Sequence, residues 1–283
     1  MSMWTRTLEF ISDKPDPASL AASKLLISAT VVVFALQVWI AQLQGGRGAI
    51  DALMRPTNVE AIRFGALHVS LLAREPWRLV SSVFLHFGAL HLVGNMFFLA
   101  WLGRIAEPAV GPARFVMTYV SAGVLGFAAS SAYTIFADAG SGGVTAGASG
   151  AVFGITGLVL GMLIRQKNPQ WKRFAVQAVL FNVLLGLSIN QARVGVMINN
   201  VAHFGGLASG LVWGFALAKP QRKREPRGGD LPANLGAVAC LAVCLVSLVL
   251  AQRSPVWKEM ENHNRRSRAG LSLSDRENFL ASH

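Results

Sequence analysis

The sequence predicts an all-α, polytopic membrane helix bundle, and three observations carry that expectation. Hydrophobic residues make up 53% of the 283 positions, charged residues only 14%, and mean hydropathy is +0.45, too apolar and charge-poor for a water-soluble domain. Apolar runs near 24–43, 87–103, 113–137, 147–164, 174–190, 197–218 and 235–251 each approach the length of about 17 to 25 residues that a helix needs to cross a bilayer. Basic residues gather in alternate connections between these runs, as they do where loops face the cytoplasm.

In chain order, a cytoplasmic N-terminal tail (1–23) precedes the first run. A polar lead of about twenty residues and the lack of a small-residue cleavage site make that run span one and not a signal peptide. A core of six spans covers 24–218, followed by a basic linker (219–234), a seventh span (235–251) and a polar C-terminal tail (252–283). With the N-terminus inside, Arg104, Arg114, Arg165, Lys172 and the Arg222–Arg224 cluster lie in inner loops, whereas the short outer loops hold only Arg193. The net charge of +12 is thus a topology signal, and no nucleic-acid partner is expected. The linker, charged and rich in Pro and Gly, predicts a loosely packed last helix. Cys240 and Cys244, one turn apart in that helix, read as packing, with neither a disulfide framework nor thiolate metal spacing.

Spans four and six carry glycines at four-residue spacing: Gly150/Gly154, Gly157/Gly161, Gly206/Gly210 and Gly210/Gly214. Small residues at this spacing let membrane helices approach closely. Tight packing is therefore expected around these two spans.

Spans two, four and six all begin at the outer face, so residues near their starts become neighbours. Ser149 lies a few residues into span four, His203 about two turns into span six, and His91 and Asn95 share one face in the outer part of span two. A single histidine in an apolar run is ordinarily a packed or interfacial one. Polar groups from three helices at one depth mark function instead.

A serine hydroxyl becomes a useful nucleophile when a base removes its proton, and histidine suits that task. Ser149 is the candidate nucleophile and His203 the general base, then acid. The Ser149 backbone N–H with the side chains of Asn95 and His91 would stabilise the oxyanion. Gly147 and Gly150 flank the serine and admit a substrate backbone. Every Asp and Glu falls in a loop, a tail or at a span end, so a dyad is expected and not a triad. Phe153, one turn beyond Ser149, and Asn200, three residues before His203, are the candidates for orienting the imidazole. Glu107 and Arg104 read as solvated inner-loop residues.

These residues resemble the rhomboid family of intramembrane serine proteases. The likeness rests on Gly147-x-Ser149-Gly150 followed by Phe153, on Ala202-His203-x-x-Gly206-x-x-x-Gly210, and on His86 with His91-x-x-x-Asn95. Trp77-Arg78 and Glu107-x-x-x-Gly111 add to it, and the match covers about 70–218, with span one by position. The resemblance implies a six-helix rhomboid core plus one C-terminal transmembrane helix, and an active site open to the outside. It further implies a first loop partly in the membrane and anchored by Trp77 and Arg78, with the fifth helix and its loop gating lateral entry. Implied partners are single-span transmembrane protein substrates, cut near the outer surface, and membrane lipids. No metal or organic cofactor is implied. A bacterial cytoplasmic membrane is the expected location, and oligomeric state is not legible.

Two other classes compete. A catalytically inactive rhomboid-like protein would bind transmembrane helices without cutting them, but such proteins typically lack the Ser or the His. A transporter would more naturally show repeats or broken helices at the midplane. Zinc and aspartyl intramembrane proteases are set aside because the chain has neither His-Glu-x-x-His nor two intramembrane Asp residues.

Overall fold

The computed structural model describes residues 20–45, 48–137, 143–180, 199–218, 230–257, 259 and 262. Among these it is a helix bundle: α1 (Ala21–Gly45), α2 (Ala89–Val110), α3 (Pro112–Phe136), α4 (Ser149–Arg165), α5 (171–180), α6 (Asn200–Leu217) and α7 (Leu231–Arg253). The rest of the fifth run and the loop holding Arg193, which carry the expected gate, lie outside the described residues. So do 1–19, 219–229 and nearly all of the C-terminal tail. The chain is an integral, multi-pass membrane protein.

By length and composition Ala21–Leu43, Ala89–Val110, Pro112–Phe136 and Leu231–Arg253 suffice to cross a membrane. The expected span four is shorter, with 17 residues in α4. At about 1.5 Å per residue that is roughly 25 Å, less than a hydrocarbon core of about 30 Å. A helix of that length does not fill the layer, so its head or its tail lies within it. Ser149 is the first residue of that head.

Helix α4 occupies the centre. Thirteen of its 17 residues are buried, so protein surrounds it on nearly every side. Its glycine face meets that of α6 backbone to backbone. A Cβ on Gly210 would overlap the Gly154 carbonyl, and one on Gly206 or Gly214 would overlap the carbonyl of Gly150 or Leu158. The glycine spacing of spans four and six thus does what it predicted.

Contacts at both ends establish alternating helix direction. The heads of α1 and α3 share one side with the tail of α2: Ala22 and Ser23 meet Glu107, and Arg114 pairs with Asp230 at the head of α7. The heads of α2, α4 and α6 meet at the opposite end. Span two is longer than its apolar run, because α2 continues through Arg104 and Glu107 to Val110. Glu107 corrects the solvated-loop expectation. It is fully buried and accepts hydrogen bonds from the backbone N–H groups of Ala22 and Ser23, both at 2.8 Å, and from Ser23 Oγ at 2.5 Å. A carboxylate here satisfies orphan donors at the head of α1 and complements its dipole.

The first loop is folded. It holds the helices Ala49–Met54 and Asn58–Arg63 and the short turn Arg78–Ser81, and a small apolar cluster of Ala61, Phe64, Ala66 and Leu85 packs against Val33 and Ile40 of α1 and against Val144 and Ala146 ahead of α4. A capping box starts the second helix: Thr57 Oγ1 accepts from Glu60 N–H, and Glu60 accepts from Thr57 N–H. Leu67 pairs with Thr145 in an isolated antiparallel bridge, joining this loop to the segment before α4.

The last helix packs along one face only. Mostly exposed to its surroundings, α7 still lays one face on α3 and on the first loop. Near its end Ala251 sits where a Cβ on Gly65 would come within 3.0 Å, and the Arg63 guanidinium lies 4.3 Å from the Trp257 ring centroid. The polar linker says nothing about the helix it leads to, which is held by contacts along its own face.

Glu107→Ala should destabilise the fold by about 2 to 4 kcal/mol, since it strands buried donors that now bond to a charged acceptor. The thermal midpoint in detergent measures this. Glu107→Gln should recover only part of the loss, because its amide nitrogen faces N–H donors.

Candidate active site

Ser149 opens α4, and His203 lies in the first turn of α6, which begins only at Asn200. The histidine is therefore shallower in its helix than the two turns expected, and both side chains sit at helix heads. His203 Nε2 is 2.8 Å from Ser149 Oγ. The imidazole is 4% exposed and stacks on Phe153 with ring centroids 4.5 Å apart and planes 15° from parallel. Phe153 thus occupies its expected place.

Asn200 does not. It is exposed, and His203 Nδ1 has no hydrogen-bond partner among the described residues. The asparagine that acts on the head of α6 is its neighbour Asn199, whose side chain accepts from Ala202 N–H at 3.0 Å. An N-cap asparagine ahead of an apolar run is a legible signal. With two adjacent asparagines, the choice between them depends on where the helix starts.

Gly147 shows why that position is glycine. Its φ is +142°, and an added Cβ would come 2.8 Å from His91 Cε1. That same point lies 3.1 Å from His91 Nε2 and 3.8 Å from Ser149 Oγ, so the ring and the hydroxyl flank one small space. Gly147 N–H donates to the Ser82 carbonyl at 2.9 Å, tying the segment to the first loop. Gly150 and Gly206 meet at the helix contact described above.

Asn95 is buried, and its Nδ2 donates to His86 Nε2 at 3.1 Å. An amide NH2 carries two hydrogens, so this bond orients Asn95 and leaves its second donor available. His86 also lies 3.5 Å from the Ala148 backbone nitrogen and edge-on to His91, with centroids 5.0 Å apart. The sequence singled out His86 only as part of the family likeness, five residues before His91, and gave it no role.

Of Trp77 and Arg78, Arg78 makes the side-chain hydrogen bonds within the first loop, with a partner the sequence did not suggest, while Trp77 contacts Arg78 itself. Arg78 is fully buried; its Nε donates to Glu75 at 2.5 Å and its Nη1 to the carbonyls of Ile62 and Ala66 at 2.7 and 2.9 Å. The guanidinium lies 4.7 Å from the Trp77 ring centroid. Burial pulls the Arg78 pKa below its ordinary value, against the raising effect of the Glu75 charge and hydrogen bond. Among the described residues no group of three or more His, Cys, Asp or Glu side chains is placed to hold a metal.

The family described as the Rhomboid domain matches residues 73–220. RHOMBOID-like protein 1 of Arabidopsis thaliana is 33% identical over 194 residues, covering 65% of this chain and 47% of that protein. Rhomboid protease GluP of Bacillus subtilis is 29% identical over 238 residues, 81% of this chain and 42% of its own. Rhomboid protease GlpG of Haemophilus influenzae is 28% identical over 148 residues, 51% of this chain and 71% of its own. The chain spans about half the length of the first two relatives.

The stacked ring gives a chemical test. Phe153→Ala should slow covalent labelling of Ser149 by a fluorophosphonate by up to about tenfold, as expected from losing an aromatic pair worth about 0.5 to 1.5 kcal/mol. Phe153→Tyr should retain most of the rate.

Proposed function

The chain belongs to the rhomboid family, and from that membership we propose that it is an intramembrane serine endopeptidase that cleaves single-span transmembrane proteins through an acyl-enzyme. The observation that carries this reading is the 2.8 Å hydrogen bond between Ser149 Oγ and His203 Nε2 at the heads of two close-packed helices. A protein that only bound transmembrane helices would need neither that bond nor the ring stacked behind it. The polar groups also gather at one end of the bundle rather than at its middle, unlike a transport path.

In this mechanism Ser149 Oγ attacks the scissile carbonyl carbon while His203 Nε2 takes its proton. The resulting oxyanion accepts hydrogen bonds from Ser149 N–H, from the free donor of Asn95 and from His91. The Ser149 N–H suits this role because first-turn N–H groups have no intrahelical acceptor. Collapse of the intermediate breaks the C–N bond, and His203 delivers its proton to the departing amine. Water then attacks the acyl-Ser149 ester, with His203 again the base, and releases the second product. No carboxylate takes part. The Phe153 face supports the transient imidazolium, as aromatic faces do for cations, and His86 holds Asn95 in its orienting hydrogen bond.

Topology completes the proposal. The basic loops favour an N-terminus in the cytoplasm, with the site opening to the outside. A bacterial cytoplasmic membrane is the proposed location. The matched relatives include plant as well as bacterial proteins, so the likeness concerns the domain and not the compartment.

Purified protein reconstituted in liposomes with a single-span substrate of helix-destabilised sequence provides the test. Ser149→Ala should abolish cleavage while retaining the wild-type melting temperature, and His203→Ala should abolish it with a lowered midpoint, because the buried ring stacked on Phe153 is lost. Cleavage by either variant at the wild-type rate sinks the dyad. Asn95→Ala should lower kcat by about 10² to 10³, the usual effect of removing one oxyanion donor.

A further inference from the structure

We propose that Asn199 is a positioning residue that sets the Ser149–His203 separation by latching the head of α6 to the segment that carries the nucleophile. The proposal rests on the dyad reading of the site. Asn199 works on both sides of that pair. Toward α6, its Oδ1 accepts from Ala202 N–H at 3.0 Å and its backbone carbonyl accepts from His203 N–H at 3.1 Å. Away from α6, its Nδ2 donates to Ser130 Oγ on α3 at 2.6 Å and to Thr145 Oγ1 at 3.2 Å. Both amide hydrogens and the carbonyl oxygen of one side chain are thereby in use.

Thr145 makes the latch reach the nucleophile. Its backbone is bonded in both directions to Leu67, at 2.8 and 3.0 Å, and two residues later Gly147 N–H is held by the Ser82 carbonyl at 2.9 Å. Ser149 follows directly. A continuous series of hydrogen bonds therefore runs from the turn bearing His203, through Asn199, to the segment bearing Ser149. This matters because nothing grips the far edge of the imidazole: Nδ1 has no partner among the described residues, and Phe153 contacts only a face. The register of the α6 head against the 143–148 segment must then fix where Nε2 lies. A misplacement of about 1 Å in such a pair costs on the order of 10²-fold in rate.

The side-chain type separates latching from capping. Serine at this position also caps a helix, but is too short to reach Ser130 and Thr145 as well. The test compares the full chain with Asn199→Ser, Thr145→Val and the double variant, measuring the saturation rate and half-saturation concentration of a fluorophosphonate on Ser149 alongside thermal midpoints. Asn199→Ser should lower the saturation rate by about ten- to a hundredfold with half-saturation nearly unchanged, and the double variant should be no slower than the slower single one. A wild-type rate in Asn199→Ser, a loss that tracks the unfolded fraction, or effects of the two substitutions that multiply independently overturns the latch. If wild type labels no better than Ser149→Ala, the dyad reading fails instead. The latch is then judged by the midpoints alone: non-additive shifts support it and additive shifts overturn it.

Discussion

The contact on which the rest of the structure depends is the glycine face shared by α4 and α6. Lipid supplies no hydrophobic force between helices, so their association rests on close packing and hydrogen bonds. Here the approach is close enough that side chains would overlap carbonyls at Gly206, Gly210 and Gly214. Two helices in such contact have little freedom to slide. Their heads are thereby brought to a common level, and Ser149 and His203, each in a first turn, come within 2.8 Å.

Around that contact, buried polar groups act as terminators and ties. Glu107 ends the orphan donors of α1, Arg78 collects two loop carbonyls and Glu75, and Asn199 caps α6 while bonding to α3 and the segment before α4. Each falls where the backbone leaves helical pairing. In an apolar setting that is where unsatisfied groups cost most. His203 Nδ1 departs from this pattern, being buried and unpartnered among the described residues. Its ring is held from the face by Phe153 instead.

The first loop links these parts. Its Leu67 pairs with Thr145, its Ser82 carbonyl receives Gly147, and its far side meets the end of α7 at Gly65 and Arg63. The seventh helix therefore touches the element that steadies the segment leading to Ser149 from the other side. A helix outside the six-helix core contributes to that core's packing without reaching the site.

Apolar runs and basic loops were enough to determine that the chain is a helical membrane bundle, because hydrophobic length and charge placement are local properties. Helix limits came within a few residues for α1, α3 and α7, whereas Arg104 and Glu107 concealed the last turns of α2. Ser149, His203, His91, Asn95 and Phe153 were legible because glycine context and helical spacing put them on shared faces. Tertiary structure alone decided that Glu107 is buried, that Glu75 partners Arg78, that His86 orients Asn95, and that Asn199 and not Asn200 serves α6. Each of those outcomes depends on a hydrogen-bond partner distant in sequence or on where a helix begins. Periodicity carries neither kind of information.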